Sequence, residues 1–308
     1  MRVLVTGGLG YVGWAVAARL AAAGHEVTAL TSGARIEGPA GVAVARADVR
    51  DRDALAAVAG GVDAVCHLAA LTRVRASFAD PVPTWAVNVG GTINLLAALG
   101  RPARFVLAST GAVYGPAAPV PVAEDAPLAP SSPYAASKAA AEALVGAAAA
   151  AGRVGAVTLR VFNVAGAVDG RGDPDGSRLV PAALDAAAGR RDAFERNGDG
   201  SVVREFVHVA DLADAWLLAV EAATEVIPPG RHLVLNAGSG QGVSIADVLA
   251  TVERVTGRPV PVRARPPADE PAALVADSGR IRAELGWAPT RSGLERIVAD
   301  AWSAHPRG

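Results

Sequence analysis

The run Thr6-Gly7-Gly8-Leu9-Gly10-Tyr11-Val12-Gly13 constrains this chain more than any other stretch. It continues from the apolar segment Arg2–Thr6, which reads as a strand, and leads into Tyr11–Ala23, a helix-length segment ended by Gly24. Glycines 7, 10 and 13 would serve a tight turn, a close backbone approach to a pyrophosphate, and close packing of helix on strand. The helix start beyond them offers free N–H groups and a favourable dipole to phosphate. A glycine triplet alone says little, but one set between a first strand and a first helix points to a dinucleotide. Gly7, Gly10, Tyr11, Val12 and Gly13 are therefore expected to hold such a cofactor.

The following residues keep one rhythm. Strand-length apolar segments (Glu26–Leu30, Val42–Ala45, Ala64–Leu68, Arg104–Ala108, Ala156–Val161) alternate with helical ones (Arg52–Ala59, Pro83–Leu99, Ser132–Ala151). Strands that are apolar on both faces and separated by helices predict a parallel sheet covered on both sides, a doubly wound α/β fold of Rossmann type. After Ala165 the rhythm breaks. Ala165–Gly176 reads as a long loop, Phe194–Phe206 as a polar hairpin-like stretch, and Pro259–Pro271 is proline-rich. Helices are expected near Leu179–Ala188, Asp211–Ala222, Ile245–Thr256, Ser278–Leu285 and Leu294–Ser303, with a strand at His232–Asn236. This predicts a dinucleotide-binding domain over 1–165 and a smaller α/β substrate lobe over 166–308, with the segment near 206–223 packing back on the first.

Composition narrows the class. A net charge of −1 lacks the basic footprint of nucleic-acid or membrane-surface binding. No uninterrupted apolar run reaches the roughly 18 residues of a membrane span, and the N-terminus lacks a secretion signal. The single cysteine, Cys66, excludes a disulfide framework and a cysteine-rich metal site. A soluble cytoplasmic protein without metal is expected, with Cys66 buried and inert.

The end of the second strand normally separates the two dinucleotides, because an acid there binds the ribose 2′-hydroxyl. Here Ala29-Leu30-Thr31-Ser32-Gly33-Ala34-Arg35 contains none. Ser32 and Arg35 could receive a 2′-phosphate, or Arg35 could be a solvated loop residue, so NAD and NADP both stay open. Asp48, with Val49 after the third strand, could meet the adenine edge or cap a helix.

Tyr134 and Lys138 lie one helical turn apart in Pro133-Tyr134-Ala135-Ala136-Ser137-Lys138, which places them on one face. An ammonium favours the phenolate, so a lowered Tyr134 pKa is expected, suited to moving a proton to or from a hydroxyl. The full set of motifs resembles the extended short-chain dehydrogenase/reductases, and within them the nucleotide-sugar epimerases of the UDP-galactose 4-epimerase type. It comprises Gly7/Gly10/Gly13, His67-Leu68-Ala69-Ala70, Asn88-Val89-Gly90-Gly91-Thr92, Ser109 through Gly115, Tyr134 with Lys138, Leu159 through Val164, Arg204 through Ala213, and Leu285 through Pro289. The resemblance covers nearly the whole chain. It implies a triad of Thr110, Tyr134 and Lys138, cofactor contacts at Leu68, Ala69 and Ala70, and a structural Asn88. It also implies a homodimer through the helices at Pro83–Leu99 and Ser132–Ala151.

Related dehydratases carry an Asp-Glu pair after the catalytic threonine. Here Gly111 and Ala112 stand there, and neither can move a proton. No added cysteine supports oxidation to an acid. Reversible hydride chemistry at a carbinol remains. The resemblance implies that Asn163, the helix start at Ser177 and Arg178, and Arg204 hold the phosphates of a nucleotide-sugar. Arg265 is expected as a second arginine, although Arg263-Ala264-Arg265-Pro266-Pro267-Ala268-Asp269 lacks the glycine of the related motif. A nucleotide-sugar 4-epimerase is the leading reading. An NADPH-dependent reductase of a ketosugar is the alternative, and a catalytically silent dinucleotide-sensing protein the third.

Overall fold

The computed structural model describes residues 1–34, 36–222, 227–267 and 271–306. Its first part builds strands β1 (Arg2–Thr6), β2 (Glu26–Thr31), β3 (Val42–Arg46), β4 (Ala64–His67), β5 (Ala103–Thr110) and β6 (Val154–Val161). The helices between them are α1 (Tyr11–Ala22), α2 (Arg52–Ala59), α3 (Val74–Ala79), α4 (Pro81–Trp85), α5 (Gly91–Ala98) and α6 (Pro133–Ala150). The second part adds β7 (Asn163–Ala165), β8 (Ala167–Val168), β9 (Arg171–Gly172), α7 (Leu179–Ala187), β10 (Phe194–Asn197), β11 (Val203–His208), α8 (Val209–Glu221) and β12 (His232–Ala237). It ends with β13 (Gly242–Ser244), α9 (Ile245–Thr256), β14 (Val262–Arg265), β15 (Ala273–Leu274), α10 (Gly279–Leu285) and α11 (Leu294–Ser303).

Among the described residues, seven strands pair in parallel in the order β12-β6-β5-β4-β1-β2-β3. The expected doubly wound sheet is present. Successive side chains of β1 serve opposite faces: Val3 and Val5 pack with Leu20, Leu212 and Trp216, while Leu4 packs with Leu55, Leu95 and Val145. Both faces are covered, which explains the continuous apolar strands. Burying each such large side chain contributes about 1.5–3 kcal/mol. A third core, with Leu184, Phe194, Phe206, Val248 and Ile297, lies under α7, α9 and α11.

The break near residue 165 is a change of rhythm and not a spatial cut. Helix α8 packs on α1, and β12 extends the edge of the main sheet beside β6. The stretch Phe194–Phe206 is not a hairpin. Strand β10 pairs with β14, while β11 pairs with β13, β15 and β7. Between them Gly198 and Gly200 take φ values of 60° and 89°, turning the chain from one sheet into another. Within the expected long loop, β8 and β9 form a small antiparallel ladder. Asp169 and Gly170, at φ 52° and 69°, supply its turn, an Asp-Gly signal that was readable in advance. The proline-rich stretch holds β14, and the helix expected over Pro83–Leu99 begins earlier and passes through a π-helical turn, Ala86–Gly90. No helix among the described residues is long and apolar enough to cross a membrane.

Candidate active site

The glycine turn has the shape its spacing predicted. Gly7 takes φ 67°, and a Cβ on it would lie 2.9 Å from the Ala69 backbone nitrogen. A Cβ on Gly13 would lie 2.1 Å from the Gly7 carbonyl oxygen, and one on Gly10 3.2 Å from the same atom. The first helical bond runs from Trp14 N–H to the Gly10 carbonyl at 2.8 Å, so the Tyr11, Val12 and Gly13 amides precede the ladder of α1. No acid occupies that first turn. The cradle fits a dinucleotide pyrophosphate: glycine where a side chain would collide, and N–H groups where phosphate oxygens need donors.

Helix α6 presents the second half of the site. Ser132 caps it by accepting the Ala135 N–H at 3.1 Å, and Pro133 fills its first position. Tyr134 therefore enters at the first turn and Lys138 one turn later. Lys138 is buried and its Nζ donates to the Ala108 carbonyl at 2.8 Å, at the end of β5. Thr110 accepts the Ala112 N–H at 3.2 Å as the cap of a short 3₁₀ turn, and its hydroxyl favours the Tyr134 phenolate. Ser109, the neighbouring hydroxyl, is turned to Glu142.

The protonation states differ from the expectation. Burial pushes the Tyr134 phenol above its ordinary value, while the Thr110 hydroxyl and the Arg178 guanidinium draw it back. Lys138 is brought down to about 8 by burial, against the opposing pull of Glu142. The downward influences on Tyr134 thus come from Thr110 and Arg178 rather than from Lys138, and burial outweighs them.

Of the residues that support this pair, sequence reasoning named Asn88 and missed Ser77, Ser137 and Glu142. Ser77 on α3 accepts the Tyr134 N–H at 3.2 Å and donates to the Val74 carbonyl at 2.7 Å. Asn88, in the π-helical turn, donates to Ser137 Oγ at 2.9 Å and exchanges bonds with Leu71 at 2.9 and 3.1 Å. Ser137 in turn donates to the Tyr134 carbonyl at 2.7 Å. Glu142 continues the Tyr134/Lys138 face and accepts Arg160 at 2.8 Å inside the protein. A carboxylate two turns beyond Tyr134 on an alanine helix was the one available signal for it.

These elements surround a cavity of about 890 Å³. It is lined by Gly7, Gly10, Tyr11, Val12 and Gly13, by Ser32, Asp48 and Val49, and by Leu68, Ala69 and Ala70. Thr110, Tyr134, Lys138, Asn163, Arg178 and Arg204 line the same space. Tyr11 also donates to the Gly166 carbonyl at 2.8 Å, which ties α1 to the second part of the chain. Asp48 neither caps a helix nor stands alone: Asp51 caps α2, and Asp48 is held by Arg50. Arg204 donates to the Val203 and Pro271 carbonyls, Asn163 to the Glu205 carbonyl, and Arg178 to Asp173 at 3.1 Å.

Two expected residues lie outside the lining. Arg265 sits on β14, exposed and paired with Glu195, and Ser177 donates to Asp175 at 2.6 Å. Arg35 falls outside the described residues. Cys66 is buried, and burial pushes its thiol up. A Cβ on Gly111 would meet the Phe162 ring at 3.0 Å, so the position of the dehydratase acids is crowded as well as neutral.

The model for the NAD dependent epimerase/dehydratase family matches residues 3–238. The chain belongs to that family. This epimerase-family enzyme is 44% identical over 327 residues to the UDP-glucose 4-epimerase of Streptomyces lividans, covering 100% of this chain and 98% of the other. A solved UDP-glucose-4-epimerase of Stenotrophomonas maltophila, with bound NAD and formylated UDP-arabinopyranose, superposes with a TM-score of 0.89 at 33% identity, over 99% of this chain and 97% of that one. The UDP-glucose 4-epimerase of Brucella ovis in complex with NAD gives 0.88 at 34% identity, over 98% and 97%. The extended short-chain dehydrogenase/reductase resemblance therefore holds along the whole chain.

Proposed function

We propose that this chain is a nucleotide-sugar 4-epimerase that works through a bound NAD, in the cytoplasm. One observation carries the reading: Thr110, Tyr134 and Lys138 open into the same cavity as the glycine cradle. Tyr134 takes the proton from the sugar hydroxyl and later returns it, and Thr110 bonds the reacting oxygen. Lys138, fixed between Ala108 and the core, holds positive charge beside the reacting groups. When bound, the nicotinamide supplies the chemistry of taking up and giving back a hydride. The ketosugar turns between the two transfers, so the hydroxyl re-forms on the other face.

The diphosphate is assigned to Asn163, Arg178 and Arg204. Among the described lining residues the cations are Arg50, Lys138, Arg178 and Arg204, and the one carboxylate is Asp48. This imbalance suits a doubly anionic linker. Purified protein supplied with UDP-galactose or dTDP-hexoses should interconvert the 4-epimers without net consumption of dinucleotide. Unchanged sugars in the presence of bound cofactor would overturn the assignment.

A homodimer is part of the proposal. Phe78, Val82, Trp85 and Ile93 on α3, α4 and α5 are 61%, 71%, 41% and 49% exposed. Exposed apolar side chains on three consecutive helices support an interface between two copies.

A further inference from the structure

Strands β2 and β3 end side by side at the rim of the cavity, and the groups there bear on which dinucleotide fits. Thr31 closes β2, and its hydroxyl accepts the Gly33 N–H at 3.1 Å; exposed Ser32 follows. Both line the cavity and both are neutral. In a sheet wound this way an acid at the end of the second strand binds the adenosine 2′-hydroxyl, and its charge also repels a 2′-phosphate. Among the described residues, Asp48 after β3 is the one carboxylate that lines the cavity. That carboxylate is already satisfied: it accepts the Arg50 N–H at 2.9 Å, Nε at 3.0 Å and Nη2 at 2.7 Å. Asp48 and Arg50 together are neutral, and Arg50 keeps an exposed guanidinium at the rim.

We propose that this rim accepts a 2′-phosphate, with the Ser32 hydroxyl and the Arg50 guanidinium facing it, so that the chain binds NADP(H) about as well as NAD(H). The proposal rests on the dinucleotide reading above. It is also consistent with the chemistry, because an epimerase regains the hydride it gives up. The redox poise of either cofactor pool then sets no direction for the reaction, and the site gains nothing by telling the two apart.

Titration of cofactor-free protein with NADH and with NADPH, followed by nicotinamide fluorescence in phosphate-free buffer, tests the idea. The two dissociation constants should lie within about tenfold of each other. Thr31→Asp preserves a side-chain acceptor for the Gly33 N–H. It should weaken NADPH by about tenfold or more while leaving NADH within about threefold. Ser32→Asp serves as a second variant of the same kind. NADH preferred by more than about tenfold in the unaltered chain would overturn the proposal, as would aspartates that weaken both dinucleotides alike. If neither dinucleotide binds, the cofactor reading itself fails, an outcome distinct from selective binding of NADH.

Discussion

His67 donates from Nε2 to the Thr92 hydroxyl at 3.0 Å, and that contact sets its tautomer. Thr92 spends its only hydroxyl hydrogen on the Asn88 carbonyl at 2.6 Å, so its oxygen must accept from the ring. Nδ1 is then the acceptor for the Thr6 hydroxyl at 2.7 Å, and the Thr6 oxygen takes the Ala69 N–H at 3.1 Å. Every donor has one partner while the imidazole stays neutral. The chain of bonds links the strand before the glycine turn to Asn88, and through Ser137 to the backbone of Tyr134.

His67 is buried, and its pKa falls to about 3 from desolvation and the nearby Lys138 charge. The unfolded chain binds a proton near the ordinary value of about 6.5, whereas the folded chain does not. The stability from this group is therefore complete above about pH 6.5 and lost as pH falls toward 3, at up to about 1.4 kcal/mol per pH unit. Urea unfolding across that range should show the slope, and His67→Phe should remove it. The same variant should be less stable at neutral pH by about 2–4 kcal/mol, because Thr6 and Thr92 lose a buried partner.

Tyr134→Phe deletes one oxygen and leaves the Ser77 and Ser137 bonds to the backbone in place. Turnover of UDP-galactose should fall by about 10²–10⁴-fold, with the thermal midpoint and dinucleotide affinity nearly unchanged. A midpoint that falls as steeply as the rate would make the phenol a packing residue instead.

Lys138 titrates near 8 in the fold, below the ordinary lysine value, because its ammonium is desolvated. Between about pH 8 and 10.5 the unfolded chain holds a proton that the folded chain has released. Stability should thus rise with pH across this window, by about 3 kcal/mol in total, and not below it. Lys138→Met should flatten this segment of the curve. In turnover, the unaltered enzyme should lose activity above pH 8 as the ammonium discharges.

Gly13→Ala places a methyl group 2.1 Å from the Gly7 carbonyl oxygen, which is backbone and cannot rotate away. Loss of measurable dinucleotide binding and a destabilisation of about 1–3 kcal/mol are expected. Gly10→Ala, at 3.2 Å from the same atom, should be milder on both measurements.

Val82→Lys with Trp85→Glu puts charge on the exposed apolar surface of α4. The unaltered chain should sediment as a dimer and the double variant as a monomer. A sedimentation profile identical to that of the unaltered chain would exclude this surface as the interface.

The features legible in the chain are those whose partners lie within a turn or two. The glycine cradle needs only residues 7–13 and the strand before them, and the Tyr134/Lys138 face needs only helical periodicity. The apolar strands announced a two-sided sheet because burial on both faces leaves no polar alternation. Features set by distant partners could not be read this way. Strand β10 chose β14 across the lobe instead of folding back on β11, and Ser109 turned to Glu142 while Thr110 lined the cavity with Tyr134.

By itself the sequence determined the winding of the sheet, the place of the glycine cradle and the shared helical face of Tyr134 and Lys138. Tertiary structure alone decided that Arg265 lies outside the cavity while Arg178 lines it, that Asp48 is consumed by Arg50, and that burial raises the Tyr134 phenol. The physical reason is one of range. Backbone geometry and helical spacing act over a few residues, whereas desolvation and ion pairing depend on whatever the folded chain brings within a few ångströms.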